Sequence, residues 1–158
     1  MKRILSFLIL TAVLITQTAC SSKKPPEQTA VKSKSILSVV RDLNTTYEKK
    51  SLDSFMAEVA PSFPDREPFS RSLASVFSKY ETIHFNIQYT KMIIMIENKG
   101  LTRASFNWDA EWIAAGGLSQ KNGGRVTLVF EPGTFKLRAI DGKNPFLPQA
   151  PDIPGPQK

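Results

Sequence analysis

The chain has one cysteine and one histidine, Cys20 and His84. A lone histidine rules out a histidine-based metal cluster or a second imidazole, and no metal or cofactor is expected. Cys20 follows Lys2 and Arg3, an apolar stretch from Ile4 to Ile15, and then Thr16-Gln17-Thr18-Ala19. A thiol in that place is set to become a new N-terminus and be acylated, which would consume the one thiol nucleophile. His84 shares the polar side of an alternating stretch with Asn86 and Gln88, and Asp109 lies on the polar side of another. The two side chains could pair across a sheet as a catalytic dyad. With no serine or cysteine nucleophile arranged beside them, a solvent-facing histidine is the plainer expectation. Gly116-Gly117 and Gly123-Gly124 fit no phosphate-loop or dinucleotide spacing and read as hairpin turns.

The Ile4–Ile15 stretch falls short of the roughly 20 apolar residues of a membrane span and suits the about 7–15 of an export signal. The residues before Cys20 resemble a bacterial lipobox, with small Thr18 and Ala19, although Gln17 stands where leucine is usual. That resemblance implies a signal peptide cut before Cys20, palmitate-type acylation and a lipid anchor in the cell envelope. Ser21 in place of an aspartate implies the outer membrane, facing the periplasm, rather than the inner one. An unpaired cysteine also excludes a disulfide framework, which needs an even set.

Four regions follow: a signal over 1–19, the lipidated cysteine and a tether over 20–34, one folded domain over 35–147, and a tail over 148–158. The tether has Val31 as its one residue worth burying, and its Pro25-Pro26 pair and lysines favour an extended chain. Pro145, Pro148, Pro151, Pro154 and Pro156 exclude helix and sheet from the tail. The formal net charge is +7, part of it on Lys23, Lys24, Lys32 and Lys34 in the tether. Arg103, Arg125, Lys136 and Arg138 extend it over the domain. No basic–aromatic interleave suggests nucleic acid, so anionic glycans or lipid heads are the better counterparts.

Within the domain, Ile36, Val39, Val40, Leu43 and Tyr47 recur at helical spacing, with Ser33 or Ser35 as a cap. Ser51 opens a second helix with Leu52, Phe55, Met56 and Val59 on its stripe. A third begins near Glu67-Pro68 and buries Leu73, Val76, Phe77 and Tyr80. The period then changes to two. Ile83, Phe85, Ile87 and Tyr89 form one apolar strand face, and Thr102, Ala104, Phe106, Trp108 and Ala110 another. Asn122-Gly123-Gly124 turns the chain into Val126, Leu128 and Phe130, and the last strand sets Phe135, Leu137 and Ala139 on one side. Met92 to Ile96 is apolar on both sides and should be covered on both. Either Ile93 and Met95 form a partner surface on the polar face, or the C-terminal Phe146 and Leu147 cover them. The expected fold is α+β: three N-terminal helices packed on a curved antiparallel sheet of about four to five strands.

Helix count, sheet order and the final strand running into Ile140-Asp141-Gly142-Lys143-Asn144-Pro145-Phe146 resemble the nuclear-transport-factor-2-like (cystatin-like cone) superfamily over residues 35–147. The resemblance implies a conical pocket between helices and sheet, with Tyr47, Tyr89, Phe106, Trp108 and Trp112 around a small apolar ligand. It also implies sheet-to-sheet dimers, or an envelope protein partner, through Ile93 and Met95. The superfamily includes isomerases, dehydratases, ligand binders and silent assembly modules, so the fold does not select an activity. No carboxylate falls at an interior position of the apolar sheet face, which favours a non-catalytic binding or assembly domain on a lipid anchor. An isomerase or hydrolase using His84 and Asp109 is the alternative.

Overall fold

The computed structural model describes residues 26–97 and 100–148. Cys20 and its signal, Asn98-Lys99 and the proline-rich residues after Pro148 lie outside the described residues. Helix α1 spans Pro26–Glu48, α2 Leu52–Ala57 and α3 Arg66–Lys79. Strands follow at Tyr80–Ile87 (β1), Ile93–Ile96 (β2), Thr102–Ala114 (β3), Ser119–Phe130 (β4) and Leu137–Gly142 (β5), with a 3-10 turn at Tyr89–Lys91.

α1 begins well before the expected Ser33 or Ser35, so residues 26–34 are helical and not an extended tether. Proline is tolerated in a first turn, and Glu27, Gln28, Ala30, Lys32 and Lys34 are good helix formers or neutral. These turns extend a helix whose later half is held by packing, so they need no burial of their own; Val31 stays 58% exposed. Ser35 caps nothing, its hydroxyl donating instead to the Val31 carbonyl one turn back at 3.2 Å. From Ile36 onward the stripe is buried through Val40, Leu43 and Tyr47. At α2, Ser51 holds the cap position but its Oγ pairs with Ser54 Oγ at 2.8 Å and not with a backbone N–H. Phe55 and Met56 are the buried residues of α2; Phe69, Leu73, Val76 and Phe77 are those of α3.

β3 is the spine of a five-stranded antiparallel sheet. β4 lies along one side of it, from Thr102 opposite Phe130 to Ile113 opposite Ser119. On the other side β1 takes the later part, with Ile87 opposite Trp108, and β2 the earlier part, with Ile93 opposite Ser105. β5 pairs with the free side of β4. α1 reaches the outer edge of β1, where Glu48 Oε1 accepts from the Phe85 N–H at 2.8 Å and Lys50 Nζ donates to the Tyr80 carbonyl at 3.0 Å. No helix among the described residues is long and apolar enough to cross a membrane.

Four local expectations change. Gly123 and Gly124 lie inside β4, opposite Asp109 and Trp108, and the hairpin turn falls at Gly116 and Gly117, both at φ above +80°. A side chain on Gly123 would come within 3.0 Å of the Trp108 carbonyl, so close strand approach explains that glycine. Tyr89 leaves the strand for the 3-10 turn and is half-buried. The β2 segment is covered on one side only, because Ile93 and Met95 are each 51% exposed. The Phe135–Leu137–Ala139 alternation is broken twice. Phe135 turns at φ 54°, and a bulge at Arg138 sets Ala139 opposite outward Val129 while Ile140 faces inward with Leu128.

Candidate functional site

Alternate residues of the sheet build two unlike surfaces, and the predicted site residues on its strands divide between them. The inner surface, under the helices, carries Ile83, Phe85 and Ile87 of β1, Phe106, Trp108 and Trp112 of β3, and Val126 and Leu128 of β4, all buried. It brings together four of the five predicted pocket residues, Tyr47, Phe106, Trp108 and Trp112, at 0–3% exposure. Tyr89 stands apart near the helix, with Arg41 5.7 Å over its ring. Burial raises the Tyr89 pKa, with Asn44 and then Arg41 pulling the other way.

A directed chain of hydrogen bonds runs through this interior. Trp112 Nε1 donates to Tyr47 Oη at 2.7 Å, and Tyr47 Oη donates to the Phe146 carbonyl at 2.8 Å. Burial pushes the Tyr47 hydroxyl well above the usual phenol range, so it remains a donor. The Phe146 ring, 1% exposed, lies 4.9 Å from Phe55, 5.2 Å from Tyr47 and 5.6 Å from Phe85 between centroids. The space a conical pocket would occupy between these rings is thus filled by the chain's own C-terminal segment. Sequence reasoning considered Phe146 only as cover for the opposite sheet face. The available signal was Asn144-Pro145-Phe146 itself, a turn former and a proline just before an aromatic ring, and Asn144 Oδ1 indeed accepts from the Phe146 N–H at 2.9 Å.

A cleft of about 450 Å³ lies behind that segment, and sequence reasoning missed it entirely. Phe63, Pro64 and Phe69 form its helical wall, with Phe63 stacked on Phe69 at 4.9 Å; Ile140, Asn144 and Leu147 form the other. Its parts come from the α2–α3 connection and the chain end, which are distant in sequence and carry no shared motif.

The outer surface is polar. His84 stands opposite Glu111, while Asp109 stands opposite Asn86 and accepts from Asn86 Nδ2 at 3.0 Å. The strand register therefore assigns the two members of the predicted dyad to different cross-strand partners. Ser105 and Thr127 hydroxyls pair at 2.7 Å, and Lys121 meets Glu111 at 3.3 Å. Arg103 bridges Glu97 and Asp141 at 2.6 Å each, bonds that raise its already high pKa. Beside it Ile93 and Met95, opposite Ser105 and Arg103, make the apolar part of this surface. No group of three histidine, cysteine, aspartate or glutamate side chains placed to hold a metal occurs among the described residues.

No family model matches the sequence, and no curated protein matches it either. Solved structures do share its fold. One is a nuclear transport factor 2-like superfamily protein from Salmonella enterica, at TM-score 0.62 and 12% identity, covering 82% of this chain and 99% of that one. A second, from Novosphingobium aromaticivorans and proposed as a scytalone dehydratase, aligns at TM-score 0.63 and 11% identity over 72% of this chain and 84% of its own. A third, from Streptomyces avermitilis and proposed as a dehydratase of the nuclear transport factor 2-like family, gives 0.58 and 13% over 70% and 94%. At these identities the likeness establishes the fold: three helices on a curved five-stranded antiparallel sheet, the nuclear transport factor 2-like cone.

Proposed function

We propose that this chain is a lipid-anchored protein of the bacterial envelope whose cone domain is a non-catalytic module for contact with a protein partner. The outer surface of the sheet is the contact face, and a second copy of the chain is the first partner to test. The observation that carries the reading is the exposure of Ile93 and Met95, each 51% open, on a strand whose other face is packed. Two large apolar side chains held side by side on a rigid sheet are what a partner would cover. The filled interior supports the non-catalytic part: the polar atoms of Tyr47 and Trp112 are spent on each other and on the main chain. Acylation of Cys20 supplies location, with two or three chains giving stable attachment where one would be marginal.

The test is cross-linking in intact cells, followed by light scattering of the purified full chain, for wild type, Ile93→Asp with Met95→Asp, and His84→Ala. The proposal expects the double aspartate variant to lose the cross-linked species and its cellular phenotype while His84→Ala keeps both. Loss of the phenotype in His84→Ala alone would replace this reading with the enzymatic one. Cys20→Ser is expected to lose palmitate labelling and to leave the membrane fraction; retained labelling overturns the anchor.

A further inference from the structure

The edges of the sheet are not closed alike. Along β1, Glu48 Oε1 accepts from the Phe85 N–H at 2.8 Å and Lys50 Nζ donates to the Tyr80 carbonyl at 3.0 Å. Along β5, the Leu137 N–H donates to the Glu58 carbonyl and the Leu137 carbonyl accepts from the Ala60 N–H, both at 2.8 Å. β2 pairs with β3 on one side, and among the described residues no strand or side chain bonds its other edge. A bare row of N–H and C=O groups is a template for another strand. Neither a proline nor a charge interrupts Met92 to Ile96, and no bulge breaks the pairing of Ile93–Ile96 with β3.

The register says which groups lie on that open edge. The Glu97 N–H donates to the Leu101 carbonyl at 2.8 Å, in step with Met95 opposite Arg103 and Ile93 opposite Ser105. Bonded and non-bonded positions alternate along an antiparallel pair. Ile93, Met95 and Glu97 therefore bond inward to β3, and the main-chain groups of Ile94 and Ile96 point to the open edge. The side chains alternate as well: Ile93 and Met95 are exposed on the outer face, whereas Ile94 and Ile96 are half-buried. Exposed Lys91 precedes this row and half-buried Glu97 ends it.

We propose that two copies of this chain join through the open edge of β2, their β2 strands pairing antiparallel about a two-fold axis at Ile94 to make one continuous sheet. This rests on the partner surface read above from Ile93 and Met95, and adds the backbone geometry by which it is held. Charge and apolar pattern choose the axis. Centred on Ile93 it would set Lys91 opposite Met95 of the second copy, and centred on Met95 it would set Ile93 opposite Glu97, a charge against an apolar side chain each time. Centred on Ile94 it sets Ile93 opposite Met95 and Lys91 opposite Glu97, twice over. Ile94 then exchanges both main-chain bonds with its copy, and the Ile96 N–H reaches the Met92 carbonyl. Glu97 already shares the Arg103 guanidinium with Asp141, so two carboxylates meet one cation where the second copy brings Lys91. The strand is thus complementary to itself, which selects a second copy over an unrelated peptide.

The test uses Ile93→Cys and Met95→Cys as full chains with tags of different length, made separately and together in the same cells and mildly oxidised. Wild type, whose one thiol is Cys20, gives the baseline. Cβ atoms directly opposite lie about 4.5–5.5 Å apart and diagonal ones about 7–8 Å, so the disulfide should join unlike variants and not like ones. The mixed-size dimer is expected at least about fivefold above either same-size dimer. Dimers in light scattering whose like variants cross-link as readily as unlike ones overturn edge pairing, while a second copy on the sheet face survives. Monomers with no disulfide above baseline overturn edge pairing and the second copy together. A charge exchange checks the register without a thiol. Lys91→Glu and Glu97→Lys should each weaken self-association about two- to tenfold, since like charges then meet at both ends. Mixing the two variants should restore it, and failure to restore overturns the Ile94 axis.

Discussion

The two faces of β3 are written in alternate letters of one strand and stabilised in different ways. Inward, Ala104, Phe106, Trp108, Ala110 and Trp112 are buried among rings from three helices and the chain end. Outward, Asn107 and Asp109 are exposed, and Arg103 and Glu111 half-exposed. The inner face depends on partners far apart in sequence: Trp112 reaches Tyr47 across 65 positions, and Tyr47 reaches Phe146 across 99. The outer face depends on separate cross-strand pairs, such as Asn86 with Asp109 and Ser105 with Thr127. Each such pair contributes roughly 0.2–1 kcal/mol and can be lost alone. An inner residue cannot, because its neighbours share its bonds and its space. The inner face is a single cooperative object, and the outer face is a set of replaceable parts on which a contact surface can vary.

The largest expected effect breaks the inner side. Trp112→Ala removes the biggest fully buried side chain and the donor to Tyr47, and should cost about 3–5 kcal/mol in urea unfolding. Asn107→Ala, one strand face away, should stay within about 0.5 kcal/mol. Next comes Tyr47→Phe, which strands the Trp112 N–H and the Phe146 carbonyl and should cost about 1–3 kcal/mol. It also predicts a pH signature. Burial raises the folded Tyr47 pKa, so above about pH 10 the unfolded chain loses a proton that the folded chain keeps. Stability must then fall as pH rises, by up to about 1.4 kcal/mol per unit, and Tyr47→Phe should lose that slope.

Gly123→Ala tests whether the outer face is tolerant everywhere. Its new methyl would meet the Trp108 carbonyl at 3.0 Å, a backbone atom, so a loss at the lower end of about 1–3 kcal/mol is expected, with lower Tm. The smallest effect should be Glu131→Gln, a slight loss at neutral pH that closes as the pH falls. Ser62 and then Thr134 donate to the Glu131 carboxylate and hold its pKa below the usual glutamate value. The folded chain then keeps the charge where the unfolded chain takes a proton, so stability falls as pH drops below about 4.5. Thermal melts from pH 5 to 3 should show a shallower acid limb in Glu131→Gln.

Periodicity made the two faces legible before any coordinates. Every inner residue expected on β3, and Phe85, Ile87, Val126 and Leu128 on its neighbours, is buried. What stayed illegible was set by contacts distant in sequence or by backbone detail. Gly123-Gly124 looks like a turn until the approach of Trp108 is known, and the bulge at Arg138 inverts the following residues without changing their composition. Leucine- and phenylalanine-poor residues 26–34 gave no burial pattern, although their propensities permit helix. Of the interior, Tyr47, Phe106, Trp108 and Trp112 were found because they alternate or lie on a stripe. Phe146 obeys no period, since it belongs to no element, and its role follows only from where the chain end comes to rest.

The position of Phe146 also puts the domain on a clock. Tyr47 leaves the ribosome early but waits for a partner 99 positions later in a chain of 158. At about 5–20 residues per second, that is roughly 5–20 s during which the nascent aromatic cluster lacks its last ring. The helices can form in that interval, but the interior cannot close around them. The final packing step arrives only once residue 146 has been made, so until then the helices and strands wait as separate pieces around an unfilled centre.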